Sequence, residues 1–355
     1  MPNEQDIEPR VLASWRTRAC AAGVCVGTQI FLAGCGVGMP LSLSSAWLSA
    51  LPSLPFAAWL VARCRRRLVS PVHPGRFSRV WHTLLALALL ACSAFAAASL
   101  VSFAGATLVE QTNAAWAEIM ALSAVALCAL SGSIGASRLC FALRYALPAL
   151  TLLLSLAAVP MRVPVGLFPI LGAGAPQLAI SALSVLFGAA PALMLMLPPT
   201  ELVHRDENQG AVPNTGFFLR RVLLGALAGV VLLFIASACT TYESIAESTQ
   251  WGVRLSMAIG NQSHEGVMQM LLVLAKLMAM LLLSVHMLCA AEQALLGAFP
   301  RLAAGRAGLL VLLALLGACL AVMVLFGDAP LLAAAPAIAV PAALLAAFSG
   351  RRQHA

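Results

Sequence analysis

Apolar runs of about 20 residues recur along the chain, separated by short polar segments. Their centres place ten runs, at 19–40, 43–62, 80–104, 114–132, 142–160, 177–198, 222–239, 267–290, 307–326 and 330–348. A hydrocarbon core of about 30 Å needs roughly 20 residues of α-helix, and a lipid-exposed backbone must satisfy its own hydrogen bonds. The pattern therefore predicts an all-α polytopic membrane protein of about ten transmembrane helices.

Arginine placement orients these helices. With the N-terminus inside, the cytoplasmic segments carry Arg10, Arg16 and Arg18; Arg63, Arg65, Arg66, Arg67, Arg76 and Arg79; Arg138 and Arg144; Arg205, Arg220 and Arg221; Arg301 and Arg306; and Arg351 and Arg352. The outer loops hold only Arg162 and Arg254. Such a bias puts both termini in the cytoplasm. Trp47, Trp116 and Trp251 then fall near the outer interface and Trp81 near the inner one, as an aromatic belt requires. The chain divides into a cytoplasmic tail (1–18), five helices (19–160), five more (161–348) with a long outer loop at 240–265, and a C-terminal tail (349–355).

Composition narrows the chemistry. Hydrophobic residues make up 61% and charged residues 10% of the 355 residues, and the mean hydropathy is +0.95. The net charge of +8 sits in loops between spans, where it reads as topology and contact with anionic lipid rather than nucleic acid. Most of the ten cysteines lie within spans without CxxC or metal-ligand spacing, so they call for no metal, redox role or cofactor. The polar N-terminal stretch and the lack of an A-x-A site argue against a cleaved signal peptide. The longest hydrophilic segments, 63–79, 201–221 and 240–265, leave no room for a soluble catalytic domain, and the spans lack a nucleophile with a base. An enzyme is not expected.

Five spans per half place the second half upside down relative to the first, the arrangement of inverted-repeat transporters. Both opening helices are interrupted. The first carries Gly34, Gly36, Gly38 and Pro40; the sixth carries Gly188, Pro191, Pro198 and Pro199. Where glycine removes the side chain and proline the donor, a helix opens and frees N–H and C=O groups that can hold a small zwitterion or an ion. Gly34, Gly36 and Gly38, with Phe187, Gly188 and Ala189, are the candidate ligand-binding backbone. The competing reading is close helix packing through small residues.

Lys276, the only lysine, lies within the eighth run, where an ionisable group costs about 2.5–3.5 kcal/mol on insertion scales. One reading makes it a cation in the place of a sodium ion, or a proton-coupling group. Another has it hold the bundle by pairing with carbonyls freed in the first helix. Snorkelling is disfavoured at some ten residues from the span end. His286, ten residues on, lies roughly 80° away around the helix and reads as a satisfied buried histidine rather than a relay partner. Glu118 and Glu292 lie near interfaces. The 240–265 loop mixes apolar and polar positions at helical spacing, which suits either a lid or an interfacial segment.

Two phrases carry a family resemblance. TQIFLAGCGVGMPLSLSSAWLSALPSLPFAAWLVARCRRR pairs a Gly-rich first helix ending on Pro40 with an Ala-Trp-Leu-Ser start to the second. PVGLFPILGAGAPQLAISALSVLFGAAPALMLMLPP places Phe-Pro-Ile-Leu-Gly-x-Gly before a sixth helix with a Phe-Gly step. With Lys276 in the eighth span, the chain resembles the endospore germination permeases, the B subunits of germinant receptors, over nearly its whole length. That resemblance implies a LeuT-type fold of the amino acid-polyamine-organocation superfamily. It also implies a small germinant, often an amino acid, at the broken helices, partner A and C subunits, and residence in the spore inner membrane. A self-sufficient proton-coupled amino acid transporter and a ligand-free sporulation scaffold are the alternatives.

Overall fold

In a computed structural model, the described residues are 9–34, 46–69, 76–108, 114–130, 132–145, 175–199, 212–239, 266–326 and most of 335–345. All the elements among them are helical. They are α1 (Pro9–Gly34), α2 (Ala46–Ala50), α3 (Ser53–Val69), α4 (Arg76–Leu108), α5 (Ala114–Leu130), α6 (Ser133–Leu143), α7 (Ala175–Leu186), a 3₁₀ segment (Phe187–Met196), α8 (Thr215–Cys239), α9 (Gly266–Ala298), a short 3₁₀ stretch (Pro300–Arg306) and α10 (Ala307–Phe326). Gly36, Gly38, the 240–265 loop and most of the expected fifth span lie outside the described residues.

Three of these helices are each long and apolar enough to cross a bilayer: residues 79–104 of α4, 215–235 of α8 and 274–298 of α9. Residues 181–196 and 307–323 form shorter apolar helices. Several helices run past the apolar stretches that predict them. α1 begins at Pro9, α3 continues through Arg63–Arg67, and α9 reaches Ala298. Hydropathy marks only the part of a helix in hydrocarbon, and arginine stems extend it into the headgroup region.

Local chemistry sets the interruptions. α2 ends at the Leu51–Pro52 turn, and Ser53 Oγ donates to the Ala50 carbonyl at 2.6 Å. Asn214 Oδ1 accepts from the Phe217 N–H at 2.9 Å and so caps α8. Between α5 and α6 the chain bends by 106°. Gly132 at the bend has φ 92°, a conformation that disfavours any side chain. Residues 133–141, which the hydropathy pattern predicts as a cytoplasmic link, form most of α6. The last α5 carbonyl, Leu130 O, accepts from Arg306 Nη1 at 2.7 Å.

At the centre, α4 and α9 pack side by side. The most apolar stretches of α4 and α9 are 89% and 72% buried, against 39% for that of α8, which marks α8 as peripheral. Ser93 Oγ donates to Ser284 O at 2.9 Å, and a Cβ on Gly297 would meet His82 at 2.5 Å. Since 93 pairs with 284 and 82 with 297, the two helices are antiparallel. Outward positions such as Leu127, Leu224, Leu310 and Leu325 are exposed apolar side chains, the surface a bilayer would cover.

α1 and α8 approach through glycine. A Cβ on Gly23 would stand 2.5 Å from Arg221 O; one on Gly27 would strike Gly225 O, one on Gly225 would strike Gly23 O, and one on Gly229 would strike Gly27 O. Glycines spaced four apart on each helix, Gly23 and Gly27 against Gly225 and Gly229, let backbone touch backbone.

Candidate functional site at the sixth-helix discontinuity

Residues 175–186 wind as α-helix and 187–196 as 3₁₀ helix, so the winding changes at Phe187. A 3₁₀ run of ten residues is long, because its hydrogen bonds are poorer than those of the α-helix. Proline supplies a local cause. In α winding the N–H of residue 191 would serve the carbonyl of residue 187, and Pro191 has no N–H to give. All ten residues are buried, so water cannot serve these carbonyls instead.

Side chains from three other helices do so. Gln29 Nε2 of α1 donates to Phe187 O at 3.2 Å, the carbonyl that Pro191 cannot reach. Cys64 Sγ of α3 lies 3.5 Å from Ala192 O. Arg18 of α1 donates through Nε and Nη2 to Met194 O at 3.3 and 3.1 Å, and through Nη2 to Gln293 Oε1 of α9 at 3.1 Å. Gln293 Nε2 in turn donates to Pro198 O at 2.7 Å. Arg18 had been read only as a topological arginine. It is 5% exposed and ties α1, the 3₁₀ segment and α9 together.

Two acceptors in this region meet no hydrogen-bond partner: Gln29 Oε1 and His286 Nε2. His286 Nδ1 lies 3.1 Å from Leu282 O, so it carries the proton and Nε2 presents a bare lone pair. Gln29 follows Arg18 by eleven residues and so shares its face of α1; His286 precedes Gln293 by seven and shares its face of α9. Since Arg18 binds Gln293, both residues lie on the faces of α1 and α9 that carry this contact, within about one turn in height. Histidine had been expected to be satisfied; it is satisfied at one nitrogen only.

Phe187 stacks edge-on against Phe95 of α4 at 5.1 Å. A Cβ on Gly188 would come within 2.6 Å of the Ile30 side chain and 2.7 Å of its Cα, so Gly188 admits α1 against the discontinuity. Ala189 is fully buried beside it. Gly34 lies apart, packed against Leu233 of α8, whose Cδ2 would be 2.8 Å from an added Cβ. Lys276 is also separate. Buried at 3% exposure, its Nζ sits 5.7 Å from the Phe31 ring of α1 and 5.4 Å from the Phe103 ring of α4, a distance at which an ammonium is held by aromatic faces. Among the described residues no three His, Cys, Asp or Glu side chains could hold a metal ion.

No protein-family model matches the sequence, and none of the curated proteins is similar to it. Solved structures do share the fold. A manganese transporter from Eremococcus coleocola aligns over 98% of this chain and 78% of its own with 15% identity and a TM-score of 0.53. Mhp1, a nucleobase-cation-symport-1 family transporter in a closed conformation with bromovinylhydantoin bound, aligns over 96% and 79% with 13% identity and a TM-score of 0.54. At that identity the likeness is one of fold: an all-α, multi-pass membrane protein of the LeuT type.

Proposed function

We propose that this chain is a ligand-sensing membrane permease subunit that binds a small, donor-bearing molecule beside the sixth-helix discontinuity, as the germination permeases do with a germinant. The observation that carries the reading is the pair of buried acceptors without a partner, Gln29 Oε1, whose amide nitrogen binds the carbonyl where the helix changes winding, and His286 Nε2 of α9. A buried acceptor without a partner costs about 1–3 kcal/mol, and a ligand with N–H donors would recover it. An amino acid, whose ammonium offers three, suits both acceptors. The family resemblance in the first and sixth helices supports a germinant, with A and C partner subunits in the spore inner membrane. The transporter fold supports the second reading, a self-sufficient secondary amino acid transporter. In either, Lys276 holds α1 through Phe31 where related proteins place a cation.

The test is ligand-induced thermal shift on purified protein with a panel of amino acids and nucleosides, for wild type, Gln29→Leu and Lys276→Met. Stabilisation by one ligand, lost in Gln29→Leu, is expected. A ligand shift unchanged in that variant would remove the discontinuity from the site. Uptake by the chain alone in proteoliposomes would favour the transporter over the receptor subunit.

A further inference from the structure

On the face of α1 opposite Arg18 and Gln29 lies a cavity of about 300 Å³, bounded also by α8, α9 and the end of α6. Gly27, nine residues and therefore half a revolution past Arg18, forms part of its floor. The lining runs on α1 from Cys20 to Phe31, about 16 Å along the axis. Between those ends the described lining is apolar apart from Thr28. The ends are not. Arg144 and Arg221 stand at the Cys20 end, and Lys276 stands at the Phe31 end. Among the described lining residues none is acidic.

Both guanidiniums are half-buried and pre-set by their own helices. Arg144 Nη1 donates to Phe141 O at 2.6 Å with its guanidinium 3.8 Å from the Phe141 ring centre; Arg221 Nη1 donates to Phe217 O at 2.7 Å with its guanidinium 3.8 Å from the Phe217 ring. Each bond uses one of five donors, and a planar fork held on an aromatic face is suited to meet a carboxylate with two parallel bonds. The walls beyond them are chiefly glycine, alanine, valine, leucine and methionine. A head group bound there would trail an apolar body along Gly23 and Gly27.

We infer that this cavity is a second binding site, distinct from the discontinuity, for a linear monocarboxylate of medium chain length, with its head at Arg144 and Arg221 and its tail directed toward Phe31. The lining's length of about 16 Å along α1 admits an extended chain of the size of octanoate.

The full chain, reconstituted in phosphatidylcholine nanodiscs, would be titrated with octanoate, octan-1-ol and octylammonium, with binding followed by saturation-transfer NMR. Saturable octanoate binding at least tenfold tighter than octan-1-ol is expected, with octylammonium weaker still. Arg221→Gln and Ala228→Phe, the latter filling the cavity, should each weaken octanoate at least tenfold. Equal binding of octanoate and octan-1-ol, a preference for octylammonium, or non-saturable partitioning alone would overturn the assignment. Should Arg221→Gln fail to fold, the comparison of the three probes and Ala228→Phe still decide it. Because none of these measurements uses Gln29 or an amino acid, their failure leaves the discontinuity reading untouched.

Discussion

Where α1 meets α8, backbone lies against backbone at Gly23, Gly27, Gly225 and Gly229, and a Cβ on any of the four would strike the facing helix. Where the same helix meets the 3₁₀ segment, the contact is made by long polar side chains, Arg18 and Gln29, reaching backbone carbonyls of that segment. The first kind of contact has one geometry, since a steric fit without side chains cannot repack. The second kind is exchangeable. A guanidinium or an amide can trade one carbonyl for another, or for a ligand, at a cost of about 0.5–3 kcal/mol. Under the proposed reading, a helix fixed along one face and exchangeably held along the other could respond to a ligand without leaving the bundle.

The heaviest blow to that contrast is a side chain in the glycine seam. Gly225→Val drives a branched carbon into the Gly23 carbonyl, and a loss above about 3 kcal/mol is expected, read as failure to recover a monodisperse protein from the membrane. A normal yield and midpoint would mean the seam is looser than drawn. Next is Arg18→Met, which strips the charged donor from Met194 O and Gln293 and should cost about 2–3 kcal/mol. Hydrogen exchange should quicken at Met194–Met196 and stay unchanged in α8. Equal quickening in both would make the two faces of α1 one cooperative unit. Gln29→Leu removes a donor and an orphan acceptor together, so stability should change by no more than about 1 kcal/mol while ligand response is lost. Smallest is Arg306→Ala, remote from either face. It uncaps α5 and should lower stability by about half a kcal/mol, measured as a shift in thermal midpoint with ligand response intact.

Much of the architecture was legible because hydrocarbon imposes it. Run length predicts helices, and the five-plus-five division with interrupted first and sixth helices predicts the LeuT type that the structural neighbours share. Lys276 stood out as the sole lysine in an apolar run, and it is buried between aromatic rings from α1 and α4. Other site residues were hidden by what surrounded them. Arg18 looked like one more inside arginine, since sequence cannot say which arginine turns inward. Gln29 was a single polar residue in an apolar run, and its partner lies 158 positions away. A signal for it existed in Pro191, which names Phe187 as the carbonyl in need of a donor. The glycine seam was legible as two four-residue spacings, but only the topology pairs them. α6 was missed because Ser133, Ser137 and Arg138 interrupt an otherwise apolar stretch and mimic a link.

The ten residues from Phe187 to Met196 have a mechanical consequence. In 3₁₀ form they rise about 20 Å, whereas α winding would carry them about 15 Å. Rewinding would therefore draw Pro198 toward Phe187 by about 5 Å and turn it through roughly half a revolution. The segment has the properties of a screw thread set at its longer pitch, with Arg18, Cys64 and Gln29 as the stops that hold it there. A spin-label pair at Leu186 and Met196 would read that travel directly as a shortening.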